Sequence, residues 1–371
     1  MTRMSRAKRL VPAALAGTAL ALAVGLPTAG AAKAKLPKNG VETPSSGTVS
    51  ETGSSLLYPL FNLWVPGYNG TYPTVTIQTA STGSGTGITD ASNGTADIGA
   101  SDAYLSTSEL GATPSLENIP LAISAQIIEY NVPGVTAHLK LNGKLLAAIY
   151  QGKITNWSDP KIAAVNHGVT LPTLPIVTLH RADSSGDTFL FSSYLSAATP
   201  TGWGKTLSFN TTIAWPNVSG ALAETGNSGM VAGCKSTPGC VAYVGISYLA
   251  QVLQNAQNYA ELENKSGQYV LPTQGSIAAE AAGFAKKTPA NGTISLIYGP
   301  AKQGYPIINY EYGIVNTKQS DTSTAKDIRS VLEWAVNPKL GNSPTYLSQV
   351  NFQPLPATVE ANSIKQILKI K

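Results

Sequence analysis

Short runs of β-branched and aromatic residues alternate along the chain with longer amphipathic runs. The short runs are typical of strands and predict them over 75–77, 123–130, 176–179, 241–244 and 306–315. The amphipathic runs predict helices over 58–64, 143–150, 189–195, 277–287 and 324–336. Alternation of this kind indicates an α/β protein with mixed or mostly parallel sheets.

Two apolar stretches rich in aromatic residues, 126–132 and 304–314, stand on either side of a middle block. We interpret them as paired strands that cross between two lobes and form a two-strand hinge. Residues 47–128 and 305–371 then make lobe 1, and residues 129–304 make lobe 2. A chain of 371 residues suits this division, since domains usually have roughly 100–200 residues.

The N-terminus has the pattern of a secretory signal peptide. Basic residues between Arg3 and Arg9 precede an uncharged run that ends in Ala29-Gly30-Ala31. We therefore predict a signal peptide over 1–31 and a flexible linker over 32–46. The alternative is an anchored transmembrane helix, which an early proline and the small residues at the exit disfavour.

The distribution of charge along the chain affects which partners the sequence favours. The net charge is +5, but the signal peptide alone carries four basic residues and no acid. From Gly47 onward there are 18 basic and 19 acidic residues. A nearly neutral folded part disfavours nucleic acid as a partner, and charged residues at only 12% of the chain exclude a disordered charged tail protein.

The two cysteines, Cys234 and Cys240, are six residues apart in GCKSTPGC. In an exported protein such a pair most plausibly forms one local, structural disulfide. A metal site is the alternative, but two thiols and the scattered His138, His167 and His180 make an unconvincing set of four ligands.

Three loops rich in Gly and Ser lead directly into predicted helices, at 53–57, 83–87 and 181–188. A helix N-terminus presents unpaired N–H groups and the positive end of a dipole, so it attracts anions. One such loop is explained equally well by ordinary N-capping. Three loops, one of them with Arg181, favour a site for a small tetrahedral oxyanion.

A carboxylate refines this prediction. Asp102 follows a short predicted strand 18 residues after Ser84, and so can lie beside the second loop. A carboxylate next to an anion is favourable when it accepts a proton from that anion, and phosphate carries protons near neutral pH whereas sulfate does not. Asp187 is a possible second acceptor, and Asp183 can orient Arg181. A turn aspartate is the alternative for Asp102.

Sequence motifs typical of enzyme active sites are weak in this chain. No G-x-S-x-G is present, and Gly204-Lys205-Thr206 lacks the earlier glycine of a P-loop. A His180–Ser185 pair is conceivable, which leaves an exported phosphatase or esterase as an alternative function. A receptor for another oxyanion such as sulfate or molybdate, and a surface adhesin with vestigial binding, also stay open.

At these residues the chain resembles the phosphate-binding protein of the bacterial phosphate ABC importer. The resemblance covers nearly the whole chain after the linker and rests on TGSSLLYPLFNLW (52–64), TGSGTGITDASNGTADIGASDAYLS (82–106), LNGKLLAAIYQGKITNWSDPKI (141–162), HRADSSGDTFLFSSYLS (180–196), GWGK (202–205), GNSGMV (226–231), CVAYVGISYL (240–249) and NFQPLP (351–356). GCKSTPGC and YPIINYEY make it most similar to the actinobacterial, mycobacterial-type branch.

The resemblance implies a two-lobed Venus-flytrap protein that binds one phosphate and delivers it to transmembrane permease subunits, with no catalysis and no cofactor. By motif it assigns the phosphate-binding residues Ser54, Ser55, Leu56, Ser84, Asp102, Arg181, Ser185, Gly186 and Asp187. We further expect a monomer.

Two features depart from the family pattern. Many members have Thr where Asp187 stands, and many carry a lipoprotein cysteine that has no counterpart near the end of this leader. We therefore expect an exported protein in a periplasmic or an extracellular, cell-wall space, without a lipid-anchor cysteine.

Overall fold

The computed structural model describes residues 40–371; the predicted signal peptide and most of the predicted linker lie outside the described residues. The strands are β1 Thr48–Gly53, β2 Thr76–Ser81, β3 Ile98–Ser101, β4 Leu116–Tyr130, β5 Lys140–Leu141, β6 Val177–Arg181, β7 Leu222–Glu224, β8 Cys240–Gly245, β9 Asn258–Tyr259, β10 Glu261–Glu263, β11 Tyr269–Val270 and β12 Ile308–Asn316.

The helices are α1 Tyr58–Asn69, α2 Ser84–Asn93, α3 Thr107–Ala112, α4 Gly143–Tyr150, α5 Pro160–Ala163, α6 Gly186–Ala198, α7 Gly226–Ser236, α8 Leu249–Gln254, α9 Gln274–Ala282, α10 Thr322–Val336, α11 Pro344–Leu347 and α12 Ala357–Ile367. Among them, none is long and apolar enough to cross a membrane.

The strands form a mixed sheet in the order β2-β1-β3-β12-β4-β8-β6-β7, with β9 added beside β4 and β11-β10-β5 as a separate small sheet. At one end β1 runs parallel to β2 and β3. At the other end β6 runs parallel to β7 and β8. The antiparallel strands β4 and β12 join these two parallel groups, so the predicted α/β fold with mixed sheets and two lobes is confirmed.

The strand β4 belongs to both groups because it has 15 residues, far more than the usual five or six. From Leu116 to Ala125 it pairs with β12, and from Gln126 to Tyr130 it pairs with β8. The predicted pairing of 126–132 with 304–314 was therefore misplaced. The two strands do pair, but about ten residues earlier on β4, because its apolar run begins at Leu116 and not at Ile123.

Helix boundaries follow local chemistry. The helix α4 spans the predicted residues, and Asn142 caps it by accepting from the Leu145 N–H at 2.9 Å. The helix α9 was predicted to reach Lys287 but ends at Ala282, where Gly283 removes the helical preference of the run. The helix α1 continues through Pro66 to Asn69, since the Gly70 N–H still reaches the Pro66 carbonyl at 3.0 Å.

The predicted disulfide is confirmed: Cys234 near the end of α7 is bonded to Cys240 at the start of β8. Both sulfur atoms are thus bonded to each other and are not thiolate ligands. The carboxylate of Glu129 lies within 4.8 Å of them in the same buried region.

Candidate functional site

The candidate site lies where β1, β3 and β6 end. The first two are parallel neighbours, with Gly53 opposite Ala100, so their carboxyl ends reach the same edge of the sheet. Ligands of open α/β sheets bind at such edges, in the loops that follow the strands. All of the residues that the resemblance assigns to phosphate are buried here: Ser54, Ser55, Leu56, Ser84, Asp102, Arg181, Ser185, Gly186 and Asp187.

Ser54 organises the loop after β1. Its N–H donates to the Ala100 carbonyl at 2.9 Å, which joins the loop to β3. Its hydroxyl accepts from the N–H groups of Leu56 and Leu57 at 3.1 and 3.0 Å and donates to the Asp102 carboxylate. One side chain therefore fixes the turn into α1 and orients Asp102.

The loop before α2 depends on Gly83, whose φ of +96° disfavours other residues. A Cβ at Gly83 would also stand 2.7 Å from the Asp183 carboxylate and 2.8 Å from the Ser184 carbonyl. This loop therefore packs directly against the loop after β6. Gly85 fixes the contact by donating its N–H to the Ser184 carbonyl at 3.0 Å.

Asp102 lies between the two loops. Its N–H donates to the Ser84 hydroxyl at 3.2 Å. On the other side, a Cβ at Gly186 would overlap both the Asp102 carboxylate and the Ser84 hydroxyl, so the start of α6 presses against this aspartate. Burial first, and then the charge of Asp187, raise the pKa of Asp102 to about 7.

The guanidinium of Arg181 is held by two aspartates. Its Nε donates to Asp183 at 2.7 Å, its Nη2 donates to the other oxygen of Asp183, and its Nη1 donates to Asp187 at 2.9 Å. Burial opposes the charge on Arg181, but the carboxylates outweigh it and raise the pKa of Arg181. Asp183, which also accepts from the Gly226 N–H at 3.2 Å, orients the guanidinium as a two-pronged partner.

Asp187 has more protein partners than the sequence indicated. Besides Arg181, its carboxylate accepts from the side-chain amides of Asn227 at 2.7 Å and Gln126 at 3.0 Å. Burial raises the pKa of Asp187, while the charge of Arg181 opposes that rise. The sequence suggested a second acceptor for a ligand proton, whereas the structure places this carboxylate as the ion-pair partner of Arg181.

Backbone N–H groups converge on the same region. Ser185 caps α6 by accepting from the Thr188 N–H at 3.3 Å. Within residues 40–371, the N–H groups of Ser55, Ser84, Gly186 and Asp187 have no protein acceptor. They belong to loop and helix starts that contact one another, and together they can donate to a small anion.

The alternative Ser185–His180 pair is not formed in the described chain. Ser185 is buried and occupied by its capping bond, whereas His180 is half-buried and packs on the Trp215 ring, with centroids 5.1 Å apart. Burial lowers the pKa of His180. The two side chains therefore serve separate structural contacts.

Three polar residues of the site were missed in the sequence. Asn227 opens α7 and joins the loops, because its amide nitrogen donates to Ser55 at 2.9 Å as well as to Asp187. Its motif, GNSGMV, is a fourth glycine- and serine-containing start of a helix, which was an available signal. Gln126 and Glu311 are polar residues within the buried strands β4 and β12. A polar residue within an otherwise apolar strand was the only sequence signal for either of them.

Comparison with known proteins gives the family. The model of the PBP superfamily domain matches residues 40–339. The phosphate-binding protein PstS of Xylella fastidiosa (strain 9a5c) is 31% identical over 327 residues, which cover 88% of this chain and 85% of the relative. The chain belongs to the PstS family of phosphate-binding proteins.

Other PstS proteins and one solved structure agree with this assignment. PstS 2 of Mycobacterium tuberculosis (strain ATCC 25618 / H37Rv) is 30% identical, with 84% of each chain covered. The structure of a high-affinity periplasmic phosphate-binding protein, PfluDING, bound with phosphate at pH 8.5 has a TM-score of 0.68 at 21% identity, covering 85% of this chain and 92% of that one. The resemblance to the PstS family is confirmed, and the structural likeness supports the fold.

Proposed function

We propose that this PstS-family protein binds one inorganic phosphate between its lobes outside the cytoplasmic membrane and delivers it to an ABC permease for import. The observation that carries the proposal is the position of Asp102. A carboxylate with a pKa of about 7 is buried among hydroxyl and backbone donors, where only an anion that brings its own proton satisfies both kinds of group.

The remaining site residues would make different kinds of contact with phosphate in the proposed complex. The N–H groups of Ser55, Ser84, Gly186 and Asp187 would donate to phosphate oxygens, with the serine hydroxyls beside them. Arg181 would supply a charge that Asp183 and Asp187 already orient. Because the donors are mostly neutral and fixed in place, dehydrated phosphate is held by local dipoles more than by net charge.

The site supports binding better than catalysis, and we propose that the protein is not an enzyme. Ser185 and His180, the serine and histidine considered as nucleophile and base, make separate contacts in the described structure. Sulfate and molybdate ions carry no proton at neutral pH and therefore could not donate a hydrogen bond to the Asp102 carboxylate. A receptor for those anions is therefore the less favoured alternative.

Lobe closure fits the way the loops meet. We propose that 47–128 with 305–371 and 129–304 move as the two lobes, with β4 and β12 as the hinge. The bonds from Gly85 to Ser184 and from Asn227 to Ser55 would form when the lobes close on phosphate. The permease subunits would then open the two lobes again. We further propose an exported monomer without nucleic-acid partners.

Phosphate that copurifies with the protein tests the proposal. The mature protein, beginning at Ala32, would be unfolded and its released phosphate counted against protein. We expect close to one phosphate per chain. An enzyme would instead release phosphate continuously from phosphate esters and lose that turnover in Ser185→Ala, whereas a receptor shows no turnover and loses only affinity in that variant. Absence of bound phosphate, and of rebinding by the refolded protein, would contradict the proposal.

A further inference from the structure

A second buried carboxyl group lies behind Asp102. Glu311 is a central residue of β12, fully buried and opposite Ala122 of β4. Its Oε1 accepts from the Asn309 side-chain amide at 3.0 Å and lies 2.5 Å from the Ser124 hydroxyl oxygen, which also lies 2.6 Å from the Asn309 side-chain oxygen. The same Asn309 amide also reaches the Asp102 carbonyl at 3.4 Å, which connects the two acidic residues through one side chain.

The other oxygen of Glu311 has no such partner. Within the described residues, Oε2 receives no hydrogen bond from any donor and is shielded from water. The register of β12 with β3 places Tyr312 opposite Ser101, so Glu311 lies beside Asp102, and the two carboxyl groups are within hydrogen-bonding range of each other. Two ionised carboxylates have only acceptor atoms, so this contact is favourable only when one proton lies between them.

We propose that Glu311 keeps its proton and donates it from Oε2 to Asp102, and thereby maintains Asp102 as the ionised acceptor for a proton of the bound phosphate. This inference rests on the proposed function and adds a positioning residue to it. Glu311 acts through Asp102, and the pair together carries one negative charge.

The surroundings decide which of the two acids holds the proton. Asp102 accepts from the Ser54 hydroxyl and lies in the field of the Arg181 charge, whereas the polar neighbours of Glu311, Ser124 and Asn309, are neutral and lie at Oε1. The titratable or charged groups that act on the pair are Asp187, Arg181 and Tyr312. Tyr312 donates its hydroxyl to the Gly292 carbonyl at 3.0 Å and so is not the missing donor.

The directions of the pKa shifts agree with this assignment. Burial first, and then the charge of Asp102, raise the pKa of Glu311 well above its ordinary value. Burial and the charge of Asp187 raise that of Asp102, whereas the hydrogen bond with Glu311 lowers it. The proton therefore stays on Glu311 through the pH range in which Asp102 begins to ionise.

A matched pair of substitutions tests the proposal through the pH dependence of phosphate affinity. Glu311→Met removes the donor, whereas Glu311→Gln keeps an oxygen for Ser124 and Asn309 and an N–H for Asp102. Affinity falls as the pH drops through the pKa of Asp102, because protonated Asp102 no longer accepts. The titration of phosphate itself is the same in every protein, so differences between the curves report the protein.

We expect Glu311→Met to move the acid limb of the affinity profile upward by about one pH unit, with an affinity loss of about tenfold on the acidic side. Glu311→Gln should restore the limb to its wild-type position. If Glu311 were ionised, its removal would take away a negative neighbour and move the limb to lower pH. That result, or an unmoved limb in Glu311→Met, would overturn the proposal.

Infrared spectroscopy supplies an independent measurement if Glu311→Met does not fold. With carbon-13 in all glutamate carboxyl groups, the protonated-carboxyl band of the wild-type protein at pH 7 should contain a component that Glu311→Gln lacks, beside the component from Glu129, which both proteins share. Identical bands in both proteins would overturn the proposal even if phosphate binds. If phosphate failed to bind the wild type, the proposed function would fail, and the infrared comparison would still decide where the proton lies.

Discussion

In the proposed function, Asp102 selects the ligand by the protons that the ligand carries. A buried carboxylate costs free energy unless donors satisfy it, and here Ser54 is a donor that orients it while the loops exclude water. A phosphate that carries a proton adds a further donor, whereas sulfate adds only negative charge. The proposed selectivity thus depends on the placement of a single carboxyl group.

Replacing Asp102 by Asn should therefore relax selectivity. The amide still accepts a bond from phosphate but can also donate to an unprotonated oxyanion. We expect sulfate affinity to rise by at least about tenfold, because a hydrogen bond to a charged group is worth roughly 1.5–3 kcal/mol, and phosphate affinity to fall by a smaller factor, because the amide oxygen still accepts the phosphate proton. Titration calorimetry with both anions at pH 7 measures this.

Asp97→Asn is the matched control for that experiment. Asp97 lies in the same half of the sheet, accepts from the Ser50 N–H at 2.7 Å and from its hydroxyl at 2.8 Å, and does not contact the site loops. It should keep the wild-type ratio of affinities. Continued refusal of sulfate by Asp102→Asn would remove Asp102 from the explanation of selectivity.

At the scale of elements, the start of α7 joins the two groups of loops. Asn227 donates to Ser55 and to Asp187, and its Oδ1 accepts from the Gly245 N–H at 2.8 Å. Each of its polar side-chain atoms is thus used between elements. The N-terminus of this helix therefore connects the loop after β1 to the ion pair of Arg181 and Asp187.

We predict that Asn227→Ala weakens phosphate binding by about ten- to a hundredfold. The substitution removes one buried side-chain donor from each of Ser55 and Asp187 and the acceptor of the Gly245 N–H, a cost of about 1–3 kcal/mol, part of which falls on the closed state. Phosphate titrations of Asn227→Ala and of the exposed control Asn217→Ala measure the effect. Equal affinities in the two variants would show that this contact is dispensable for closure.

The disulfide holds the other end of α7. Replacing both Cys234 and Cys240 by Ser should lower the free energy of unfolding by about 2 kcal/mol, as expected for a short closed loop, and change phosphate affinity much less. Urea unfolding of the oxidised wild type and of the double variant gives the first value. A large loss of affinity with unchanged stability would contradict a purely structural role.

Much of this organisation could be predicted from the sequence. Apolar runs marked β6, β8, β12 and α4 closely, and the glycine and serine loops marked the site edge. The strand β1, TVSETG, was missed because it has no apolar run, although it lies at the centre of its parallel group. Glu311 and the partners of Asp187 depend on tertiary packing between β4, β12 and α6, which no local pattern records.

At the scale of the molecule, buried acids link folding to pH. Glu129 on β4 is fully buried with no hydrogen bond from any described residue, and burial raises its pKa from 4.5 to about 8. Because the folded-state value lies above the unfolded one, the protonated form favours folding. That contribution is complete below about pH 4.5 and is lost as the pH rises through 8.

Ligand-free protein should therefore lose stability between about pH 5 and pH 8, with Glu129 contributing up to about 1.4 kcal/mol per pH unit. Glu129→Gln cannot ionise and should flatten the dependence by that amount. Urea unfolding at several pH values compares it with the wild type and with Glu261→Gln, a partly exposed glutamate of β10. An unchanged slope in Glu129→Gln would show that this carboxyl is not neutral in the folded protein.

The proposed function requires a closed, two-lobed receptor that selects a protonated oxyanion. The most direct test is isothermal titration of the mature wild-type protein, stripped of bound phosphate by partial unfolding and refolded, against phosphate and then sulfate at pH 7. We expect tight one-to-one binding of phosphate and no heat from sulfate at the same concentrations. Comparable binding of sulfate, or no binding of phosphate by protein whose circular dichroism shows an intact fold, would contradict it.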